Sequence, residues 1–543
     1  MVPMNSDYYK TSLEIVKEFI QTITIVDDKA QFIRHSAFGK GKAPFTIQEE
    51  GASFDAGRIT KQFAEDGKIC SVYRFTEKED VKKIVKIALK SDVIILDWKI
   101  EISEKELSEN DELEEEVVRS KGFYTLEILK EIIKSEHNSL KVIVIYTDEP
   151  AFVRIVNEIQ KAFEGKNIKD GNSDEPFSLY YNSNKITLFG KEELKGKTTH
   201  LKDIAQRSYS YEELPGAIYE EFVRFTYGVV SGIFLKAIAS IRTNTYLLFS
   251  TFKRDIDAAF IAHKGLLPIP DDAYDHIVEL IGSEMKSVIN GALDDTTMNR
   301  LIDSYIDSLD ETLLFEYKDK DGVKKKFSTD EFKSLINDPN GKNSLSKASK
   351  SVLHEELPKS LIKAYNSSLP LKEVEDKAYK SNCEFAKLTT LKKRYPGLNY
   401  NPFLTLGVIL KSKDISEKDE YWICIQPKCD SVRICEEERS FLFLSLSEES
   451  KNREIMLDVN TGFKINYSVI KAKQFLFKPT DNNVVKVQGE PDDWFFEDSS
   501  QKRFEYLCEL KNDFAQSIAN EFAARLSRVA LNQSEWLRLN AKK

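Results

Sequence analysis

The chain has 543 residues, 41% of them hydrophobic, enough for roughly two to four domains with real cores. Its formal charge of −10 argues against nonspecific nucleic-acid binding as the main task. Six cysteines over this length make no disulfide framework, no apolar run reaches a membrane span, and the N-terminus is not a signal peptide. These features are read as a soluble cytoplasmic protein.

Taken in chain order, residues 6–20 form a short amphipathic helix, with Tyr9, Leu13, Val16 and Ile20 at helical spacing. The first strand follows at 22–26, and Phe38 to Gly51, with no clear period, reads as loop. Residues 56–66 are helical, Ile69–Phe75 is a strand, and a helix fits 77–90, capped by Thr76 with Glu79 three residues on. The third strand, 92–97, is followed by an acid-dominated run from Glu101 to Glu116 that reads as a solvated insertion, or else a gate over what lies beside it. Helix 121–136, strand 140–146, helix 149–163 and a strand at 185–189 complete a strand–helix alternation. That alternation predicts a flavodoxin-like, doubly wound α/β domain over residues 1–200.

From 203 to 365 long helical periods dominate, with Ile218, Phe222, Phe225 and Val229 at helix spacing and Pro268 and Pro270 as punctuation. The stretch 317–350 reads as an excursion. A helical middle domain is expected here, and a β-rich domain over 385–543. In the latter, Phe403–Leu410, Tyr421–Gln426, Ser431–Cys435, Phe441–Leu446, 454–458 and 464–476 are predicted strands, and 501–539 is a long closing helix. Cys424, Cys429 and Cys435 fall in those strands with no Cys-x-x-Cys pair or neighbouring His, so buried free thiols are preferred to zinc.

The candidate site lies at the ends of the N-terminal strands. Asp27 and Asp28 close the first, Asp97 the third, Thr147 the fourth, and Lys191 follows the fifth. In an open parallel sheet, groups at the carboxyl ends of strands converge on one crevice. Carboxylates gathered there repel one another unless a hard cation sits among them, and Mg²⁺ with a phosphoryl group fits that need. Asp97 is the candidate nucleophile, since a carboxylate can form an acyl phosphate. Asp27, Asp28 and Asp97 are the candidate metal ligands. Lys191 would supply a cation to a phosphoryl oxygen, and Thr147 a hydroxyl.

With those residues in place, residues 18–195 resemble a receiver domain of two-component response regulators, of the divergent, enlarged type encoded in bacterial conflict and anti-phage loci. The resemblance implies an aspartyl-phosphate switch driven by a histidine-kinase-like ATPase. Asp27 and Asp28 match the family's acidic pair, Asp97 the phosphoacceptor, Thr147 the switch hydroxyl and Lys191 the lysine. The sequence departs from the pattern at Trp98-Lys99 after the acceptor, at Asp148-Glu149 after Thr147, and at Gly190-Lys191, with no proline following. Phe260–Asp272 and Trp422–Arg433 resemble stretches of larger proteins that carry such receivers.

Three functions follow as expectations: a phosphorylated signalling protein, a non-phosphorylated pseudo-receiver adaptor in a multi-protein defence complex, or a C-terminal enzyme or nucleic-acid reader. The last is disfavoured. No P-loop, nucleophile elbow or His-rich metal set occurs, the basic tracts Val323–Phe327 and Leu391–Arg394 are short, and His263 reads as a packing residue.

Overall fold

The computed structural model describes residues 6–32, 54–102, 122–135, 139–166, 168–171, 175–197, 202–267, 270, 272–309, 316–318, 323–326, 329–337, 357–363, 369–395, 398, 400–414, 416–449, 452–480 and 483–526. The predicted loop 38–51, nearly all of the acidic run after Glu101, most of the excursion 317–350 and the end of the closing helix lie outside them. The chain divides into two compact units, Met1–Leu309 and Asp310–Lys543.

In the first unit, the strands β1 (Thr22–Asp27), β2 (Ile69–Arg74), β3 (Val93–Leu96), β4 (Lys141–Thr147), β5 (Ser178–Tyr181) and β6 (Asn184–Lys191) belong to one eight-stranded sheet. Its order, β2-β1-β3-β4-β6-β5, continues to Lys169–Asp170 at one edge, and Ser208–Tyr209 also pairs with β6. The five pairings from β2 to β6 and with Ser208–Tyr209 are parallel, whereas β5 returns antiparallel against β6. Taken as β1, β2, β3, β4 and β6, the parallel strands stand in the 2-1-3-4-5 order of flavodoxin-like folds. The β5–β6 hairpin escaped the sequence reading, because Tyr180-Tyr181-Asn182-Ser183 gives too short an alternation to separate from loop.

Strands buried on both faces read as continuous apolar runs, and here the reason is visible. Val142 to Ile145 and Val93 to Leu96 are almost wholly excluded from solvent. Alternate residues serve two cores. Ile23, Ile25, Val93, Ile95, Val142 and Val144 face one side with the helices α1 (Asp7–Phe19) and α2 (Ala56–Glu65). Val26, Ile94, Leu96, Ile143 and Ile145 face the other, with α3 (Asp80–Ala88), α4 (Phe123–Lys134) and α5 (Phe152–Ala162). The expected cap of α3 is corrected. Its first residue is Asp80, whose carboxylate accepts from the backbone of Thr76 and Glu77 and the Thr76 hydroxyl, so Asp80 closes the motif in place of Glu79.

The helices α6 (Leu214–Thr226), α7 (Val229–Thr243), α8 (Thr245–Thr251), α9 (Asp257–Leu266), α10 (Asp272–Ala292) and α11 (Asp295–Asp307) follow in the same unit. Ile218, Tyr219 and Phe222 of α6, Leu235 and Ala239 of α7 and Leu301 of α11 share the first core with α1 and the sheet. Polar ties reinforce the joint. Arg242 of α7 forks onto Asp92 at the foot of β3, at 2.9 and 3.0 Å, and Asp92 also accepts from the backbone of Gln21 and Thr22. Lys185 of β6, fully buried, is held between Glu175 at 2.5 Å and Glu221 of α6 at 2.7 Å.

The second unit is built on an antiparallel sheet. Its strands β7 (Val408–Lys413), β8 (Asp419–Cys424), β9 (Arg439–Glu448), β10 (Gly462–Ile465), β11 (Lys473–Phe477), β12 (Phe495–Glu497) and β13 (Arg503–Glu509) run β10-β9-β8-β7-β13-β12, with β11 also on β9 and Ile455–Met456 beyond β10. Each face carries its own core, one aromatic, around Trp422, Phe443, Phe477 and Phe504, and one aliphatic. The helix α13 (Asn512–Leu526) lays Ala515, Ile518 and Phe522 on the second; the longer α12 (Leu371–Thr390) also belongs to this unit. Two predicted elements are corrected. Residues 431–435 are no strand, since Lys428–Ser431 is a helical turn after Pro427, which pre-sets its first dihedral. The start of the supposed closing helix is β13, where Phe504 and Tyr506 alternate with exposed Arg503 and Glu505. The six cysteines are free, and Cys429 and Cys435 are exposed, contrary to the expectation of burial.

Candidate functional site

Parallel register carries the predicted residues to one rim. Val26 pairs with Leu96 and Leu96 with Ile145, so Asp27, at the end of β1, and Asp97, one residue past β3, emerge side by side. Thr147 ends β4 opposite Gly190, and Lys191 ends β6. The Lys191 ammonium reaches back across the crevice to both acids, 3.0 Å from Asp27 Oδ2 and 2.9 Å from Asp97 Oδ1. Phe54 and Tyr146 place their rings around the same ammonium, at 5.8 and 5.9 Å.

Each acid is also fastened to the backbone. Asp27 Oδ1 accepts from the Lys29 N–H at 2.8 Å, and Asp97 Oδ2 from the Lys99 N–H at 2.9 Å. Asp28 is the least satisfied. Its Oδ2 accepts a long 3.4 Å bond from the Glu101 N–H, while Oδ1 is buried with no hydrogen-bond partner among the described residues. Burial, then the neighbouring charges of Asp27 and Asp97, push the Asp28 carboxyl up to about 6. Burial also raises Asp97, with Lys191 pulling against it. For Lys191 burial acts downward, but Asp97 and Asp27 outweigh it and hold the ammonium firmly protonated. Lys191 is therefore a fixed cation at the centre.

Thr147 is fully buried at the rim, and its hydroxyl accepts from the Glu149 N–H at 3.1 Å within its own loop. Two residues that carried no assigned role also shape the crevice. Lys99 spans from the loop after Asp97 to the loop after Thr147, 2.8 Å from Asp148 and 3.7 Å from Glu149. Thr125 of α4 donates its hydroxyl to the Asp97 carbonyl at 2.7 Å and so ties α4 to the loop after β3. Lys99 was legible as a cation beside Asp97, but its partners belong to the loop after another strand. Nothing in the sequence pairs Thr125 with Asp97, 28 residues away. Trp98 turns inward, fully buried, under Gly122, whose φ of +90° only glycine adopts easily and where a Cβ would sit 2.2 Å from the indole.

The donor chemistry suits a hard divalent cation. Mg²⁺ is commonly held by one or two carboxylates and retains several waters. Asp28, with its orphaned buried oxygen, and Asp97 meet that need. Both oxygens of Asp27 are already engaged, by Lys29 and Lys191, and so are both of Asp97, by Lys191 and the Lys99 N–H; Asp28 keeps the unused oxygen. Among the described residues no group of three or more His, Cys, Asp or Glu side chains is arranged to hold a metal, so the site is no all-protein cage.

A 2-1-3-4-5 sheet with acids and a lysine at the carboxyl ends of its strands defines a flavodoxin-like domain with a charged crevice. Residues 19–196 match the response receiver domain family, so this part of the chain is similar to the receiver domains of response-regulator-like signalling proteins. Neither a curated protein nor a solved structure matches the chain. No helix among the described residues is long and apolar enough to cross a membrane.

Proposed function

We propose that this receiver is an aspartyl-phosphate switch with Asp97 as acceptor. The observation that carries the reading is the convergence of Asp27, Asp97 and Lys191 at one rim, with Asp28 beside them holding an unused oxygen. An Asp97 carboxylate oxygen attacks the phosphorus of a phosphohistidine or small phosphoryl donor; the O–P bond forms as the bond to the leaving nitrogen or oxygen breaks, and the leaving atom takes the electron pair and then a proton. Asp28 and Asp97 would hold Mg²⁺, with Asp27 as a direct or water-mediated partner, and the ion would supply charge that shields the incoming phosphoryl group from the acids. Lys191, released from one carboxylate by the new charge, pairs with a phosphoryl oxygen. Thr147 exchanges its Glu149 contact for the same group and moves its loop.

The donor in this reading is a histidine-kinase-like ATPase, and the setting is bacterial anti-phage defence in the cytoplasm, as the resemblance of the enlarged receiver suggests. The chain itself contributes acceptance and relay, with no separate catalysis. The test is incubation with phosphoramidate or acetyl phosphate and Mg²⁺, read by intact mass. One phosphoryl increment on the wild type, absent from Asp97→Asn and from a chelated control, is the expected result. An equal increment on the variant defeats it.

A second reading draws on Lys191 and Thr147. The ammonium already pairs with two of the crevice's carboxylates, and the switch hydroxyl is already bonded. A pseudo-receiver adaptor would use this closed arrangement unmodified as a docking shape within a defence complex. It predicts that partner capture and protection in a phage plaque assay survive Asp97→Ala. The first reading predicts the loss of protection.

A further inference from the structure

The two histidines among the described residues stand on different helices, and their rings meet. His263 lies in the last turn of α9 and His276 in the second turn of α10. His276 Nδ1 is 3.2 Å from His263 Nε2, and the ring centres are 5.0 Å apart with their planes inclined at 60°. His263 was expected to pack. Instead α9 has no fully buried side chain, and His263 is half-buried against an exposed His276.

A hydrogen bond between neutral imidazoles accounts poorly for this arrangement. A straight N–H···N bond of that length would set the ring centres about 5.5 Å apart, so the rings lean off the line between their nitrogens. Water competes for an exposed bond of this kind and leaves it a net worth of about 1 kcal/mol or less. Protonation of both rings would set two cations face to face. A shared metal ion uses the same geometry well. Two imidazole nitrogens bound to one zinc at about 2.0–2.1 Å and near the tetrahedral angle stand about 3.3 Å apart, with ring centres about 5.2 Å apart. Both observed distances lie close to these.

The surroundings suit a cation. Asp272 and Glu279, four residues before His276 and three after it, lie on the same side of α10. The nearby Lys264 ammonium is engaged by Tyr274, donating to its hydroxyl at 2.9 Å and lying 4.1 Å from its ring centre. Among the described residues no third His, Cys, Asp or Glu completes the set, so water would fill the remaining positions. Imidazole ligands select zinc and its transition-metal neighbours, whereas Mg²⁺ takes oxygen, so this pair and the Asp28–Asp97 crevice call for different ions. We propose that His263 and His276 chelate a zinc ion that clamps α9 to α10. The clamp does not depend on phosphorylation of Asp97.

The experiment is calorimetric titration of zinc into the chelator-treated full-length chain. The wild type is expected to show a site that His263→Gln and His276→Gln each weaken by at least about tenfold. Neither side chain is buried, so both variants should keep the wild-type melting temperature in chelator. Hydrogen–deuterium exchange of the wild type, read by mass spectrometry, locates the ion without any variant. With zinc at about ten times its dissociation constant, exchange through local opening in peptides covering residues 257–266 and 272–280 should slow by up to about tenfold. If a variant melts lower, that exchange result decides alone. A wild type that binds no zinc, protection confined to the exposed Cys429 and Cys435, or undiminished binding by either folded variant overturns the proposal.

Discussion

The electrostatics of the crevice make an unusual prediction for Asp28: neutralising it should stabilise the protein. Its carboxyl stands near 6 in the folded chain, against an ordinary value of 3.8. The folded value lies above the unfolded one, so folding disfavours the ionised form. That penalty is absent below about 4, grows between about 4 and 6, and is complete above. That difference corresponds to roughly 3 kcal/mol as an upper bound. Asp28 is only partly buried, and solvent screening brings this to about 1–2 kcal/mol. Asp28→Asn should therefore raise the melting temperature by about 2–5 °C at pH 8 with metal chelated. The gain should vanish near pH 4, where the wild-type carboxyl is protonated too. Added Mg²⁺ should reverse the order, stabilising the wild type through its two carboxylates and leaving the variant largely unmoved. Scanning calorimetry at both pH values, with and without the ion, checks all three arms. A variant that melts below the wild type in chelator, or Mg²⁺ stabilising both equally, would refute the account of why Asp28 is kept.

Lys191→Met removes the cation that serves Asp27 and Asp97, both more than nine-tenths buried, and should cost about 3–5 kcal/mol in urea unfolding, as for other broken buried pairs. Gly122→Ala drives a methyl into the Trp98 indole at a positive φ; it should lose more than about 2 kcal/mol, visible in a thermal melt, whereas Gly67→Ala, with open space around it, pays only the strain of its turn. A double-mutant cycle on Arg242→Ala and Asp92→Asn should give a coupling of about 1–2 kcal/mol, because the fork is partly shielded from solvent; additive effects would remove Arg242 as the tie between α7 and β3.

The parallel core was legible because its strands are buried on both faces. Runs such as Val142 to Ile145 admit no polar residue, and the residues that end them fall on the rim whatever the loops do. That rule alone placed Asp27, Asp97, Thr147 and Lys191 at one end of the sheet. It could not say which would touch. The ion pairs of Lys191 with Asp27 and Asp97 join residues 164 and 94 positions apart, and the Thr147 hydroxyl is claimed by a local backbone bond that residue type does not announce. Secondary structure failed where local signals compete. Phe504 and Tyr506 suit a strand or a helix equally, and only pairing of β13 with β7 and β12 decides. Sequence sets periodicity and the chemical kind of each side chain. Which groups meet, and which remain uncovered, depends on contacts between residues far apart along the chain, and those form only in the folded protein.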